Sequence, residues 1–355
     1  MQAHSEPVVP GTCGRTPPGL RLRFLLPVLF CALAAAQPVL PGAPAANPLK
    51  RVHHWMYQLQ GMEDAAAMNK LAQSSYDLLV IEPTFTLKGE ADFDVKALVA
   101  KLKAARPGRL VVAYADIGEA ERFRVYWDKS WKRPGKKSRS PGTPSFLLAP
   151  DPDGWRDDVS IAFWDPQWRQ IWLGESGLIQ KIMAAGFDGV YLDWIEAYHE
   201  PGVVRAAQRQ GVAPVRAMVD FIGDIRQQVR RVCTNGVVIA QNAPELIDEE
   251  PRYAGLIDGV GFEDTWFSGV ADSAWDSPRG GDVAQDGAGD DGTAGRLRQY
   301  QKFLRAGIPV FTIDYCVRPE HAAQVYAAAT RAGLIPLVTR VSLERLTTTP
   351  PPDLK

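Results

Sequence analysis

Short apolar runs alternate with amphipathic helical patterns eight times from residue 50 onward, and this alternation restricts the fold more than any other feature. The predicted strands cover residues 52–59, 78–81, 110–115, 189–192, 237–240, 259–262, 309–313 and 335–338. Strands separated by helices pair in parallel, and eight such units close into a barrel. An open doubly wound sheet is the alternative, but no G-x-G-x-x-G motif follows the first strand. The sequence therefore predicts an α/β fold, a single-domain (β/α)8 TIM barrel.

Predicted helices fill most of the gaps between these strands. They cover residues 63–74, 93–105, 165–185, 214–232, 297–306 and 320–332. Only residues 342–346 follow the eighth strand as a possible helix, so the last helix is expected to be stunted or absent. Long loops at 128–162, after strand three, and 268–295, after strand six, leave the carboxyl ends of strands. We expect both to overhang the mouth of the barrel, where long loops usually serve function or are disordered.

The first 36 residues have the composition of a signal peptide. Three arginines precede an apolar run over 24–36, which ends in small residues suited to cleavage. The run is too short for a membrane-spanning helix of about 20 residues. Residues 37–49 are predicted to be a Pro/Ala-rich linker, 50–346 the barrel domain and 347–355 a disordered tail. The mature protein is expected to be secreted or periplasmic, without membrane attachment.

Charge and cysteine content narrow the classes of function. The formal charge is −1 and no basic stripe is present, which argues against nucleic acid as a partner. Outside the predicted leader, Cys233 and Cys316 could pair in an oxidising compartment, or Cys233 could be a small buried residue at a helix end. No C-x-x-C motif or zinc-ligand spacing is present. Oligomeric state is left open.

Acidic residues stand where the predicted strands end. In the stretch GFDGVYLDWIE (186–196), Asp193 closes an apolar run, and a carboxylate there is costly unless it is paired or used. A role as helix cap is the alternative for any single aspartate. The polar residues at strand ends are Glu82, Asp116, Glu119, Asp193, Glu196, Gln241, Asn242, Glu263, Asp264, Asp314 and Tyr315. In a barrel these positions converge on one pocket.

Such a ring of carboxyl groups suits acid–base chemistry on sugars. Like charges at close range cannot all stay ionised, so some pKa values must rise. A protonated carboxyl group beside an ionised one is what glycosidic bond cleavage needs. Aromatic residues that could cover sugar faces flank the same rim: Trp55, Tyr57, Trp194, Tyr198, Trp266 and Tyr315. The alternative for Trp55 and Tyr57 is that they fill the barrel core.

Other chemistries find less support in the sequence. There is no G-x-S-x-G nucleophile motif and no phosphate-binding loop. His53 and His54 are adjacent on a predicted strand, so they point to opposite faces and cannot chelate together. A divalent ion held by Asp116, Asp193 and Glu263 stays open, because oxygen ligands suit magnesium or calcium. No cofactor is expected.

Several stretches together resemble glycoside hydrolase family 114, the endo-α-1,4-polygalactosaminidase-like barrels. They are AYADIGEAERFRVYW (113–127), FWDPQW (163–168), GFDGVYLDWIEAY (186–198), the Gln241-Asn242 pair and GVGFEDTW (259–266). The resemblance covers roughly residues 50–340. It implies a (β/α)8 fold and retaining hydrolysis of α-1,4-linked galactosamine polymers. By the same resemblance, Asp193 matches the nucleophile and Glu263 the general acid/base.

The substrate is therefore expected to be a polysaccharide, and a cationic amino-sugar polymer would be attracted by an acidic rim. Residues expected to bind it are Tyr57, Glu82, Asp116, Glu119, Trp194, Glu196, Asn242, Trp266, Asp314 and Tyr315. Two alternatives stay open. One is a non-catalytic glycan-binding barrel, and the other is a metal-dependent hydrolase that uses the same acids.

Overall fold

The computed structural model describes residues 46–135, 141–152, 155–287, 289 and 292–354. The predicted signal peptide and most of the predicted linker lie outside these ranges. The strands are β1 (Trp55–Gln58), β2 (Leu78–Ile81), β3 (Leu110–Asp116), β4 (Glu119–Glu121), β5 (Leu147–Pro150), β6 (Asp158–Ile161), β7 (Gly189–Asp193), β8 (Val237–Gln241), β9 (Gly259–Glu263), β10 (Phe267–Ser268), β11 (Val283–Ala284), β12 (Val310–Tyr315) and β13 (Ile335–Thr339).

Eight of these strands form one parallel sheet in the order β1-β2-β3-β7-β8-β9-β12-β13. The sheet curls until its first and last strands lie side by side, where the Trp55 indole N–H donates to the carbonyl of Ile335 at 3.0 Å. The predicted (β/α)8 barrel is confirmed. Several strands run one or two residues further than predicted, so that Asp116, Asp193 and Glu263 are the last residues of their strands.

The helices are α1 (Ala65–Gln73), α2 (Val95–Ala105), α3 (Pro166–Leu173), α4 (Leu178–Ala184), α5 (Pro201–Gln210), α6 (Pro214–Val232), α7 (Leu246–Glu249), α8 (Thr293–Arg305) and α9 (Pro319–Ala332). The single helix predicted over 165–185 is wrong. It breaks after Leu173, and side chains at Gly174 or Gly177 would collide with the end of α3. Helix α5 was not predicted, although Pro201 in its first turn and Gly211 in a left-handed cap mark its ends.

Aromatic side chains fill the inside of the barrel. Trp55 stacks on Tyr57 with ring centroids 6.2 Å apart, Tyr57 lies 5.2 Å from Tyr191, and Trp55 lies 5.2 Å from Phe311. All four are buried. Gly261 on β9 makes room for them, since a Cβ there would overlap the Tyr191 hydroxyl. Trp55 is therefore a core residue, as the alternative interpretation of the sequence has it.

Three aspartates stabilise the opposite end of the barrel, where the strands begin. Each directly precedes a strand and accepts backbone N–H groups at or just before the start of the neighbouring strand. Each is also paired with a cation in a helix or directly after one: Asp77 with Arg106 at 2.7 Å, Asp188 with Lys103 at 2.7 Å and Asp258 with Arg226 at 2.8 Å. Because these acids are satisfied by the fold itself, the chemistry belongs to the other end.

The long loop after β3 is folded. Its strands β4, β6 and β5 form a small antiparallel sheet beside the barrel mouth, and β10 and β11 pair within the second long loop. No helix follows β13 in the described residues, in keeping with the predicted stunted last helix.

The residues that flank the predicted domain on both sides pack against the barrel. At the start, Leu49 is buried and the Asn47 side chain donates to the carbonyl of Asp258 at 2.6 Å. Residues 347–354, which the composition predicts to be disordered, pack instead. The Thr347 hydroxyl donates to the carbonyl of Val338 at 2.6 Å and His54 lies 3.0 Å from Asp353. Composition could not reveal these long-range contacts.

We expect Gly261→Ala to lower the free energy of unfolding by about 1–3 kcal/mol, because the added methyl group overpacks the barrel core. Urea titration followed by circular dichroism measures this. Gly255→Ala is the matched control, since a Cβ there meets open space. Tyr191→Phe should recover part of the loss in the double variant, and equal stability of Gly261→Ala and wild type would contradict this packing account.

Candidate active site

A cavity of about 1230 Å³ opens at the carboxyl ends of the barrel strands. Both residues expected to be catalytic line it, Asp193 from β7 and Glu263 from β9. Seven of the ten residues expected to bind substrate line it as well: Tyr57, Glu82, Asp116, Trp194, Glu196, Asn242 and Tyr315. The barrel thus brings together side chains that are up to 258 positions apart in the sequence.

Glu119, Trp266 and Asp314 do not line this cavity. Asp314 is fully buried, and its Oδ1 accepts the backbone N–H groups of Trp266 and Phe267 at 2.5 and 2.8 Å. It therefore fixes the turn after β9 rather than facing a ligand. Glu119 is also fully buried, in β4, where its Oε1 accepts the Ser160 hydroxyl at 3.3 Å. An acid near a strand end can thus serve the loop instead of the pocket.

Asp193 is held by donors on both carboxylate oxygens. The Tyr114 hydroxyl donates to Oδ2 at 2.6 Å, and the backbone N–H of Trp194 donates to Oδ1 at 2.8 Å. Burial raises the pKa of Asp193, while these two hydrogen bonds act in the opposite direction and favour the ionised form. The result is a fixed carboxylate whose orientation is set by β3 and by its own strand.

Glu263 lies in a different environment. The Gln241 amide donates to its Oε2 at 2.5 Å and the Tyr315 hydroxyl donates to its Oε1. Burial, followed by the charges of Asp193 and Asp264, raises the pKa of Glu263 to about 8. A hydroxyl hydrogen bond from Tyr57 to Gln241 at 3.4 Å completes the network. A pKa of about 8 means that Glu263 retains its proton at neutral pH.

The backbone turns sharply as it leaves β7, β8 and β9. Trp194, Asn242 and Asp264 all have left-handed conformations, with φ of 55°, 57° and 57°. For Trp194 this costs about 1–3 kcal/mol, and such strain collects at functional sites. Gly118 allows the close approach, because any side chain there would overlap the carbonyl of Trp194. The side-chain Oδ1 of Asn242 accepts the backbone N–H of Glu263 at 3.2 Å.

A buried cation between two acids was not predicted from the sequence. Arg124 is 5% exposed, and it bonds Glu82 at 2.5 Å and Glu121 at 2.6 and 3.1 Å. Its guanidinium also lies 5.9 Å from the ring centroid of Tyr114, the residue that donates to Asp193. The sequence does contain the spacing Glu121-x-x-Arg124 at the end of β4. The buried ion pair cannot be predicted from it, because the second partner of Arg124 is Glu82, which is 42 residues away.

Among the described residues, the possible metal ligands and the cysteines form no metal site and no disulfide. In the parts of the chain that the structure covers, no three His, Cys, Asp or Glu side chains are grouped so as to hold a metal ion. The metal-dependent alternative gains no support from their positions. Cys233 and Cys316, whose pairing the sequence left open, are both free thiols. No helix among the described residues is long and apolar enough to cross a membrane.

A (β/α)8 barrel with two carboxyl groups of contrasting environment in one open cavity has the architecture of a glycoside hydrolase. Comparison with known proteins identifies the family. The model of the glycoside-hydrolase family GH114 matches residues 35–353, so the chain belongs to this family and is a glycoside hydrolase.

One relative and two solved structures are similar to this chain over most of its length. A protein of Deinococcus radiodurans described as uncharacterized is 34% identical over 304 residues, which is 85% of each chain. The glycoside hydrolase domain of PelA from Pseudomonas aeruginosa superposes with a TM-score of 0.59 at 18% identity, covering 84% of this chain and 98% of that one. Aspergillus fumigatus Ega3 in complex with galactosamine gives 0.55 at 18% identity, covering 82% and 93%. At these identities the two structures show a shared fold.

Arg124→Met should destabilise the protein by about 3–5 kcal/mol at neutral pH, because two buried carboxylates lose their cation. Burial raises the pKa of Glu121, so protonation would stabilise the variant, and its deficit should shrink as pH falls towards 5. Thermal unfolding at several pH values checks this. Arg122→Met, which removes an exposed ion pair, is the control with a loss below about 1 kcal/mol. A deficit that is independent of pH would contradict the ion-pair explanation.

Proposed function

We propose that the protein is an exported enzyme that cleaves α-1,4-linked galactosamine-type polysaccharide with retention of configuration. Asp193 is the nucleophile and Glu263 is the general acid/base. The observation that carries the proposal is the contrast between these two carboxyl groups within one cavity. Burial raises the pKa of both groups, but at Asp193 two hydrogen bonds oppose this effect, whereas at Glu263 the charges of Asp193 and Asp264 add to it and the pKa reaches about 8.

This contrast fits the two steps of retaining hydrolysis. In the first step Glu263 gives its proton to the glycosidic oxygen while an Asp193 oxygen bonds to the anomeric carbon and the sugar leaves as an alcohol. In the second step water attacks the same carbon, Glu263 takes the water proton, and the bond to Asp193 breaks. The Gln241 amide and the Tyr315 hydroxyl keep Glu263 in place through both steps.

The charge of the cavity supports a cationic amino-sugar polymer as substrate. Among the described residues that line it, thirteen are acidic and three are basic. Such an excess attracts protonated amines and repels acidic polysaccharides. The galactosamine found with Ega3, which shares the fold, is in keeping with this substrate class.

Export is supported by the composition of the leader and by the nature of the substrate. Positively charged residues, an apolar run and small residues follow one another within residues 1–36. A polymer of this kind is too large to enter a cell intact, so the enzyme that cleaves it has to act outside.

Asp193→Asn and Glu263→Gln should each reduce the cleavage of partly deacetylated α-1,4-galactosamine polymer by at least about a thousandfold, because each removes one partner of the two-carboxylate mechanism. New reducing ends measure cleavage, and proton NMR of the first product reports the anomer. Circular dichroism and thermal unfolding serve as controls that the fold is retained. Undiminished turnover in either variant would refute the assignment, and an inverted product would refute retention.

The pH profile should be bell-shaped, with the alkaline limb near 8, because activity is lost as Glu263 gives up its proton. The acid limb reports protonation of Asp193. Tyr114→Phe removes a donor that favours ionised Asp193. The pKa of Asp193 therefore rises, and the acid limb should move up by about 0.5–1 pH unit.

The alkaline limb is the internal control for Tyr114→Phe, since Tyr114 makes no hydrogen bond to Glu263 among those described. A variant that loses rate equally at every pH would show that Tyr114 acts only on packing.

A further inference from the structure

Two aromatic side chains at the cavity mouth stand apart from the site described above. Phe123 is 41% exposed and Trp155 is 38% exposed, and both line the cavity. Other cavity aromatics, such as Tyr57, Tyr114 and Tyr315, are buried. A large apolar ring that faces an open cavity without packing against the core is typical of a ligand-binding surface.

The two residues leave the same end of one strand pair. Strands β4 and β6 pair Glu121 with Asp158, and one more hydrogen bond, from the N–H of Arg122 to the carbonyl of Asp157 at 2.9 Å, extends the ladder. Phe123 is the next residue on one side, and Trp155 belongs to the turn that leads into the other. The small sheet therefore presents both rings at one edge of the cavity.

Hydrogen bonds hold both backbones in place. The carbonyl of Phe123 accepts the N–H of Lys88 at 2.9 Å. The N–H of Trp155 donates to Asp151 Oδ2 at 2.6 Å, and its carbonyl accepts the N–H of Asp158 at 3.4 Å. A ring on a fixed backbone loses little conformational freedom when a ligand covers it, so the surface is preorganised.

Arg124 connects this edge with the catalytic centre. Its guanidinium lies 5.2 Å from the ring centroid of Phe123 and 5.9 Å from that of Tyr114, and the Tyr114 hydroxyl reaches Asp193 at 2.6 Å. Phe123 is therefore separated from the nucleophile by two side chains. The cavity of about 1230 Å³ that they share has room for more than one sugar unit.

We propose that Phe123 and Trp155 form a subsite for a distal sugar unit of the cationic polymer. The proposal rests on the proposed function for the identity of the polymer. Each ring can cover the C–H face of a sugar or lie beneath a protonated amine, which is attracted to an aromatic face. Glu90, which also lines the cavity, adds negative charge for that amine, and Asp157, also in the lining, is paired with Arg122 at 3.1 Å. The enzyme thereby binds several sugar units of the polymer rather than a single sugar.

Affinity electrophoresis through a gel that contains partly deacetylated galactosamine polymer tests the subsite. The parent is the Glu263→Gln variant, so that the polymer is not consumed. Adding Phe123→Ala or Trp155→Ala should weaken binding about 3- to 30-fold. Phe123→Tyr and Trp155→Phe, which keep a ring, should bind within about twofold of the parent. Val232→Ala, 54% exposed and outside the cavity wall, is the control for loss of an exposed apolar side chain.

Kinetics of the enzyme with Glu263 intact give the second readout. The alanine variants should raise KM for the polymer by a similar factor, while kcat and the turnover of the shortest oligomer that the wild type cleaves stay unchanged. Alanine variants that bind the polymer as the parent does would overturn the subsite, as would a parent that is not retained at all. Retention that depends on the two rings, without any cleavage by the wild type, would keep the subsite and refute the proposed cleavage of this polymer.

Discussion

Repulsion between the carboxyl groups of Asp193 and Glu263 is the constraint on which the site depends. Both lie in one cavity whose walls limit solvation, so the charge of Asp193 helps to raise the pKa of Glu263. Each carboxyl group receives two donors, a hydroxyl and a backbone N–H at Asp193 and an amide and a hydroxyl at Glu263. The contrast arises because the charges of Asp193 and Asp264 add to the effect of burial on the pKa of Glu263. In the proposed mechanism the surroundings therefore assign acid and base, since the two side chains differ by only one methylene group.

The barrel supplies the precision that this electrostatic contrast needs. Asp116 and Asp193 are register partners at the ends of β3 and β7, so their positions are fixed by backbone pairing rather than by loops. The strain of the left-handed turn at Trp194 is met by the packed fold around it, including the close approach at Gly118. The aspartates at the other end tie the starts of the strands to the helices, which keeps this frame rigid. Stability and chemistry therefore occupy opposite ends of one barrel.

Sequence reasoning reached the barrel and the gathering of acids because both depend on local signals. Apolar runs mark the strands, and Asp193 and Glu263 close two of them. It failed where the decisive partner is distant. Asp314 follows a predicted strand just as Asp193 does, but it accepts the N–H groups of Trp266 and Phe267 and so fixes a turn. Arg124 lies in a loop, and only folding shows that Glu82 is its second partner. The break in the helix over 165–185 depends on close contacts around Gly174 and Gly177, which periodicity does not register.

The small sheet beside the mouth shows how one segment can join substrate binding to catalysis. Strand β4 leads directly to Arg124, so the residues that present Phe123 to the cavity also bring the guanidinium beneath Tyr114. Arg124 cannot move without disturbing its buried pairs with Glu82 and Glu121. A polymer bound at this edge would therefore contact a rigid part of the cavity lining that leads towards Asp193. In the proposed mechanism the barrel strands position the reacting groups, and the insertion after β3 would select the polymer that reaches them.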